Sequence, residues 1–257
     1  MDKESIKIKS IYIKLRMKYL LLLISFANIA NAFTSINIYG TGLFLPYSMG
    51  VIGYIKKNIE IGDYKITGIS GGAWCSLLYT QEKDLSDHDN IWSYTVGNNI
   101  TQLKIQSDMR IFQKNVETNL KERYKNKEPI DLDKISIIST KLEGALFKMK
   151  SVEKNDFTDI NDMIDFCLCS SYLPYLSGRT FSKKYKGNHY IDGDIKYDYS
   201  KEKEDSNKII IHRQMWDRKF KPDSYLYIDK DKSRELFKQG WEDTHENKDK
   251  IISKIIY

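Results

Sequence analysis

The spacing of apolar and polar positions changes period along the chain, and each change marks an element. Residues 34–39, Thr-Ser-Ile-Asn-Ile-Tyr, alternate and are rich in β-branched side chains, which predicts a strand. Gly40-Thr41-Gly42 interrupts it. Pro46 stands where a helix can begin, and Met49, Val51, Ile52 and Ile55 give that helix an apolar face as far as Lys57. A second strand is predicted over residues 64–69, ending at Gly68-Ile69-Ser70-Gly71-Gly72, with a buried helix behind it from Ala73 to Tyr79. Strand, helix, strand and helix in so short a span point to βαβ units and a parallel sheet. Farther on, residues 89–124 carry an imperfect helical stripe through Ile91, Trp92, Leu103, Phe112, Val116 and Leu120, stopped by Glu128-Pro129. Ile135 to Thr140, Leu146 to Val152 and Ile209 to Ile211 predict strands, while residues 159–168 and Ser233 to about Asn247 predict helices.

The N-terminal pattern is different. Basic residues lead into an apolar run from Tyr19 to Ile29, and Ala30-Asn31-Ala32 follows. That layout predicts a secretory signal peptide over residues 1–32, cleaved after Ala32, and hence a secreted or membrane-associated protein. A retained hydrophobic anchor or a packed helix is the alternative, and Met17 is a second possible start. The run is shorter than the roughly 20 residues that cross a bilayer comfortably. The remainder, 33–257, shows no linker, no internal repeat and enough apolar residues to fill one core.

Charge changes this picture only at one end. Of the formal net charge of +6, most comes from Lys3, Lys7, Lys9, Lys14, Arg16 and Lys18, opposed there only by Asp2 and Glu4. The basicity therefore belongs to the terminal segment, and nucleic-acid binding is not expected. Lys201 to Asn207 reads as a solvated charged loop. Three cysteines make no disulfide scaffold, and neither Cys-x-x-Cys nor close His pairs occur to suggest a zinc site.

Gly68-x-Ser70-x-Gly72 has the pattern of a nucleophile elbow, in which a sharp strand-to-helix turn presents a serine and small neighbours prevent collision. The helix beginning at Gly71 directs its N-terminal dipole toward developing negative charge. Gly40-Thr41-Gly42 lies at a similar junction upstream, where its backbone N–H groups would supply an oxyanion hole, with a structural turn as the plainer account. A dinucleotide cradle is disfavoured because Leu45 stands where Gly-x-Gly-x-x-Gly needs glycine. The base has two readings. Ser70, Asp192 and either His212 or His245 follow an α/β-hydrolase order, but too little chain precedes Ser70 for that fold. Asp192, which ends a short apolar stretch before Gly193, is the better candidate, with an ordinary turn as the plainer account of it.

Together these residues resemble the patatin-like phospholipase family, its animal-type branch above all. The ordered motifs are Gly40-Thr41-Gly42 with Gly50-Val51, the elbow around Ser70, and Asp192-Gly193. Two further segments support the resemblance: Cys169-Ser170-Ser171-Tyr172-Leu173-Pro174-Tyr175-Leu176-Ser177-Gly178 and the late helix Leu236 to Asp243. The resemblance implies a three-layer α/β/α sandwich with a mostly parallel central sheet. It also implies a Ser70–Asp192 dyad without histidine, metal or cofactor, and an oxyanion hole from Gly40, Thr41 and Gly42. The activity implied is hydrolysis of glycerolipid or phospholipid esters at a lipid surface through an acyl-serine.

Leu45 departs from a glycine usual in that family, and Asp194 replaces a second glycine after Asp192-Gly193. Those departures leave open a catalytically silent lipid-binding protein on the same scaffold. Asp194 would either raise the Asp192 pKa by repulsion or leave it alone if the side chains diverge. The tail isoleucines 251, 252, 255 and 256 would share one helical face, suited to a core or to a membrane.

Overall fold

The computed structural model describes residues 16–18, 33–98, 100, 102–144, 148–201, 207–220 and 227–255. The signal-peptide expectation, most of the 201–207 charged loop and Ile256 fall outside the described residues. The first βαβ unit forms as its pattern predicts: strand β1 (Thr34–Ile38), helix α1 (Leu45–Asn58) with Pro in its first turn, strand β2 (Tyr64–Ile69) and helix α2 (Gly71–Gln81). Helices α3 (His88–Thr95) and α4 (Ile105–Tyr124) follow, separated by strand β3 (Gln102–Lys104). The single stripe expected over 89–124 is therefore two helices. Asp87 caps the first by accepting the N–H groups of Asp89 and Asn90, and the extended Gln102–Lys104 breaks the period by pairing elsewhere.

Strand β4 (Ile135–Glu143) is the longest strand and the organiser of the sheet. After β5 (Lys148–Lys154), helix α5 (Ile160–Ser170) starts from an Asp159 cap. Strands β6 (Lys183–Tyr185) and β7 (Asn188–Ile191) form a hairpin whose turn residues, Lys186 and Gly187, both have positive φ. Strand β8 (Lys208–Ile211), strand β9 (Tyr227–Asp229), helix α6 (Lys230–Glu246) and the short α7 (Lys248–Ile252) complete the order.

The protein is α/β, with a seven-stranded mixed sheet and a small β3–β9 ribbon. The expected predominance of parallel pairing is not observed. β1 pairs β2 and β8 in parallel and β2 pairs β4 in parallel, but β4–β5, β4–β7 and β6–β7 are antiparallel. The parallel half follows from crossover helices, and the antiparallel half from strands that turn straight back.

Successive residues of a strand face opposite sides of a sheet. Ile137, Ile138, Ser139 and Thr140 of β4 are all buried, so both faces are covered at the centre. Ile36 and Ile38 of β1, Ile66 of β2, Ile135 and Ile137 of β4, and Ile209 and Ile211 of β8 join one core with residues from α1 to α6. Helices α1 and α6 approach almost backbone to backbone. A Cβ on Gly50 would stand 2.0 Å from the Phe237 carbonyl oxygen, and one on Gly240 would stand 2.0 Å from that of Tyr47. Ile251 and Ile255 are buried and Ile252 is exposed, so the tail does not present one membrane-facing stripe. Among the described residues no helix is long and apolar enough to cross a membrane.

Candidate active site

The site begins with the edges of β4. Strand β5 pairs with β4 from Ile137 to Glu143 along one edge. β2 pairs with Ile135 to Ile138, and β7 with Thr140 to Leu142, so both must use the other edge. They meet it head-on, because β2 runs parallel and β7 antiparallel to β4. Ile69 lies opposite Ile138 and Ile191 opposite Thr140, so the next residues, Ser70 and Asp192, both arrive beside Ser139. The Ser139 hydroxyl donates to the Ile191 carbonyl at 3.0 Å and holds the end of β7 there.

Ser70 Oγ donates to Asp192 Oδ2 at 2.7 Å, between two buried residues far apart in sequence. Its backbone, at φ 54° and ψ −122°, is strained for a side-chain-bearing residue, as a nucleophile elbow requires. Gly68 lies on β2 and Gly72 in the first turn of α2. The turn presses so close to β1 that a Cβ on Gly72 would stand 2.1 Å from the Ile38 carbonyl oxygen.

The end of α5 and the segment after it clamp both dyad residues, a role the sequence pattern did not assign. The Ser70 N–H donates to Ser170 Oγ at 2.8 Å, and Ser170 donates in turn to the Ile138 carbonyl at 2.6 Å. The Asp192 N–H donates to the Tyr172 carbonyl at 2.8 Å. Ser171 between them is fixed by Trp74 Nε1 at 3.0 Å and by Gln113 Nε2, which donates to its carbonyl at 2.6 Å. A pair of serines leaving a helix into a Pro-containing loop was visible in the sequence; their partners, remote along the chain, were not.

Burial pushes the Asp192 carboxyl up from 3.8 to about 6, against the hydrogen bonds from Ser70 and from the Asp194 N–H. The Asp194 charge adds a smaller push in the same direction, so the side chains do not diverge enough to be independent. Gly193 opens the short 3-10 turn that brings the Asp194 N–H to Asp192 Oδ1 at 2.9 Å.

The glycine loop departs in part from expectation. Gly40 N–H donates to the Asp194 carboxylate, which also accepts the Tyr199 hydroxyl. Gly40 is thus committed to Asp194 and does not serve as a free oxyanion donor. Thr41 is buried against the start of α2. Of the three, only Gly42 (φ +52°) lines the cavity beside Ser70 and Asp192, and Gly71 joins it there. The first N–H groups of a helix have no partner within the helix, which makes Gly71 a second donor position.

The cavity holds about 270 Å³ and is walled mainly by apolar side chains, among them Leu45, Met49, Trp74, Trp92 and Phe112. Neither alternative base reaches the dyad. His245 bonds the Tyr54 hydroxyl at 2.9 Å, His212 stacks on Tyr39, and Ser70 gives its proton directly to Asp192. Neither a protein-family model nor a curated protein sequence matches the chain.

Proposed function

We propose that this chain is a serine carboxylic-ester hydrolase acting on glycerolipids, with Ser70 as nucleophile and Asp192 as its base. The observation that carries this reading is the 2.7 Å Ser70–Asp192 contact at a strained elbow opening on an apolar cavity. A carboxylate with a pKa of about 6 is largely ionised at neutral pH, yet basic enough to take a proton in a transition state. Asp192 accepts the Ser70 proton as Oγ attacks the ester carbonyl. The oxyanion rests on the N–H groups of Gly42 and Gly71, and the proton passes to the departing alcohol. Water, deprotonated by Asp192, then releases the fatty acid from the acyl-serine. This chemistry calls for no metal or cofactor. The apolar walls favour a lipid acyl chain over a polar substrate.

The same reading includes a patatin-like three-layer α/β/α arrangement, entry to the secretory pathway and action at a lipid surface. It is tested by exposing the full chain to a fluorophosphonate probe. Fatty-acid release from mixed phospholipids and acylglycerols is then followed by mass spectrometry, wild type beside Ser70→Ala. Labelling at Ser70 and release that vanishes in Ser70→Ala are expected. Absence of both in the wild type overturns the assignment and leaves the scaffold a lipid binder.

A further inference from the structure

One wall of the cavity carries chemistry that the dyad does not use. His88 at the start of α3 and Ser233 in the first turns of α6 both line it, and both are buried. His88 Nε2 and Ser233 Oγ are 2.7 Å apart, and His88 Nδ1 lies 3.0 Å from Asp89 Oδ1. Asp89 is held as a carboxylate by Arg234, so it only accepts and Nδ1 must donate. Desolvation lowers the His88 pKa and keeps the ring neutral. Nε2 is then an acceptor, and the Ser233 hydroxyl donates to it. The lone pairs left on Ser233 Oγ meet no donor among the described residues.

Of the other polar side chains of this cavity, the buried Trp92 Nε1 is a donor without a partner among the described residues, while the remaining acceptors and hydroxyls are occupied. Gln113 is bonded to Ser171, Thr95 folds back on the Ile91 carbonyl, Asp194 takes Tyr199 and Gly40, and Ser70 takes Asp192. Buried hydroxyls on helices normally return to the carbonyl one turn earlier, as those of Ser76, Thr95 and Thr244 do here. Ser233 does not. It is aimed at an imidazole whose tautomer is fixed from outside, leaving an oriented acceptor in an apolar wall. A few placed polar groups in an apolar cavity are what select a ligand's functional group.

We propose that His88 and Ser233 form a hydroxyl-reading subsite, and that the preferred ester carries a hydroxyl group on its acyl chain. A hydroxyl supplies the missing donor without bringing a charge into apolar surroundings. The subsite is not a second nucleophile: Ser233 sits in regular helix, and the Asp89 carboxylate is shared with Arg234 at the surface. The proposal rests on Ser70 and Asp192 acting on lipid esters, but it is tested by binding alone.

The test uses full-length Ser70→Ala protein and calorimetric titration with medium-chain fatty-acid methyl esters, one unsubstituted and the others hydroxylated at successive carbons. One hydroxylated isomer is expected to bind about tenfold more tightly than the unsubstituted ester, the worth of one good hydrogen bond. In Ser70→Ala/Ser233→Ala that advantage disappears. Asp89→Asn, a surface change that releases the imidazole tautomer, shrinks the advantage without removing it. The proposal is overturned if no isomer outbinds the unsubstituted ester, a result that needs no Ser233 variant to fold. It is equally overturned if the advantage survives Ser233→Ala, or if the fluorophosphonate labels Ser233 in Ser70→Ala protein. Failure of the wild type to label at Ser70 strikes the catalytic reading and leaves the binding result standing.

Discussion

Asp192→Asn separates what the carboxylate does for chemistry from what it costs the fold. Lifting this carboxyl from 3.8 to about 6 means that the ionised folded state carries a penalty of about 3 kcal/mol relative to an exposed aspartate. Between those two values the folded chain holds more protons than the unfolded chain, so stability falls as pH rises. The penalty is complete above about pH 6 and absent below 3.8. Asparagine keeps both hydrogen bonds: its oxygen can accept the Asp194 N–H, now 2.9 Å from Oδ1, while its amide donates to Ser70 Oγ at the Oδ2 position. Asp192→Asn is therefore expected to be up to about 3 kcal/mol more stable than wild type at pH 8, with the difference fading toward pH 4. Urea unfolding of both proteins at pH 8, 6 and about 4.5 reads it directly, and ester hydrolysis falls to background in the same variant. A less stable variant at pH 8, or a gain that does not shrink on acidification, would refute the claim that burial sets the state of this carboxylate.

Three further outcomes follow from the same geometry. The kcat/KM for ester hydrolysis should rise with pH through about 6 and level off above it, because the base must be ionised. That limb should be unmoved in His212→Gln and displaced downward in Asp194→Asn, and a limb near 4 would contradict the burial argument. Ser170→Ala strips the Ser70 N–H of its acceptor and the Ile138 carbonyl of a donor; a loss of about 1–3 kcal/mol on chemical unfolding and a fall in kcat are expected. Gly72→Ala places a methyl group 2.1 Å from the Ile38 carbonyl oxygen, and a thermal-melting midpoint close to wild type would show that α2 does not pack on β1 as described.

The parts of this molecule legible in the sequence are those fixed within a few residues. The strands at 34–38 and 64–69, the elbow and the helix behind it are set by β-branched alternation, glycine and one proline, and they appear where the pattern places them. Pairing partners are another matter. Nothing local in Asn188–Ile191 tells that this strand runs antiparallel onto β4, or that its end stops opposite Ser139, yet that pairing makes Asp192 a partner of Ser70. Gly40 shows the converse failure. Its backbone suits an oxyanion loop, but the donor is taken by Asp194, brought there by a fold that the glycine does not encode. Ser170 and Ser233 look like ordinary helix-end polar residues until their distant partners arrive.

The two reacting side chains are positioned from the middle of β4 and from the clamp at Ser170 to Tyr172, so the length of the loops that join these elements takes no part in setting their distance. Those loops can lengthen, shorten or accept a grafted segment without disturbing proton exchange, provided Ile191 still lies across from Thr140. A slip of a single residue there would turn the carboxylate toward the opposite side of the sheet and silence the dyad. Divergence and engineering are thus free in contour length and constrained in strand alignment, so a sequence comparison that weighs spacing between motifs would look for conservation in the wrong place.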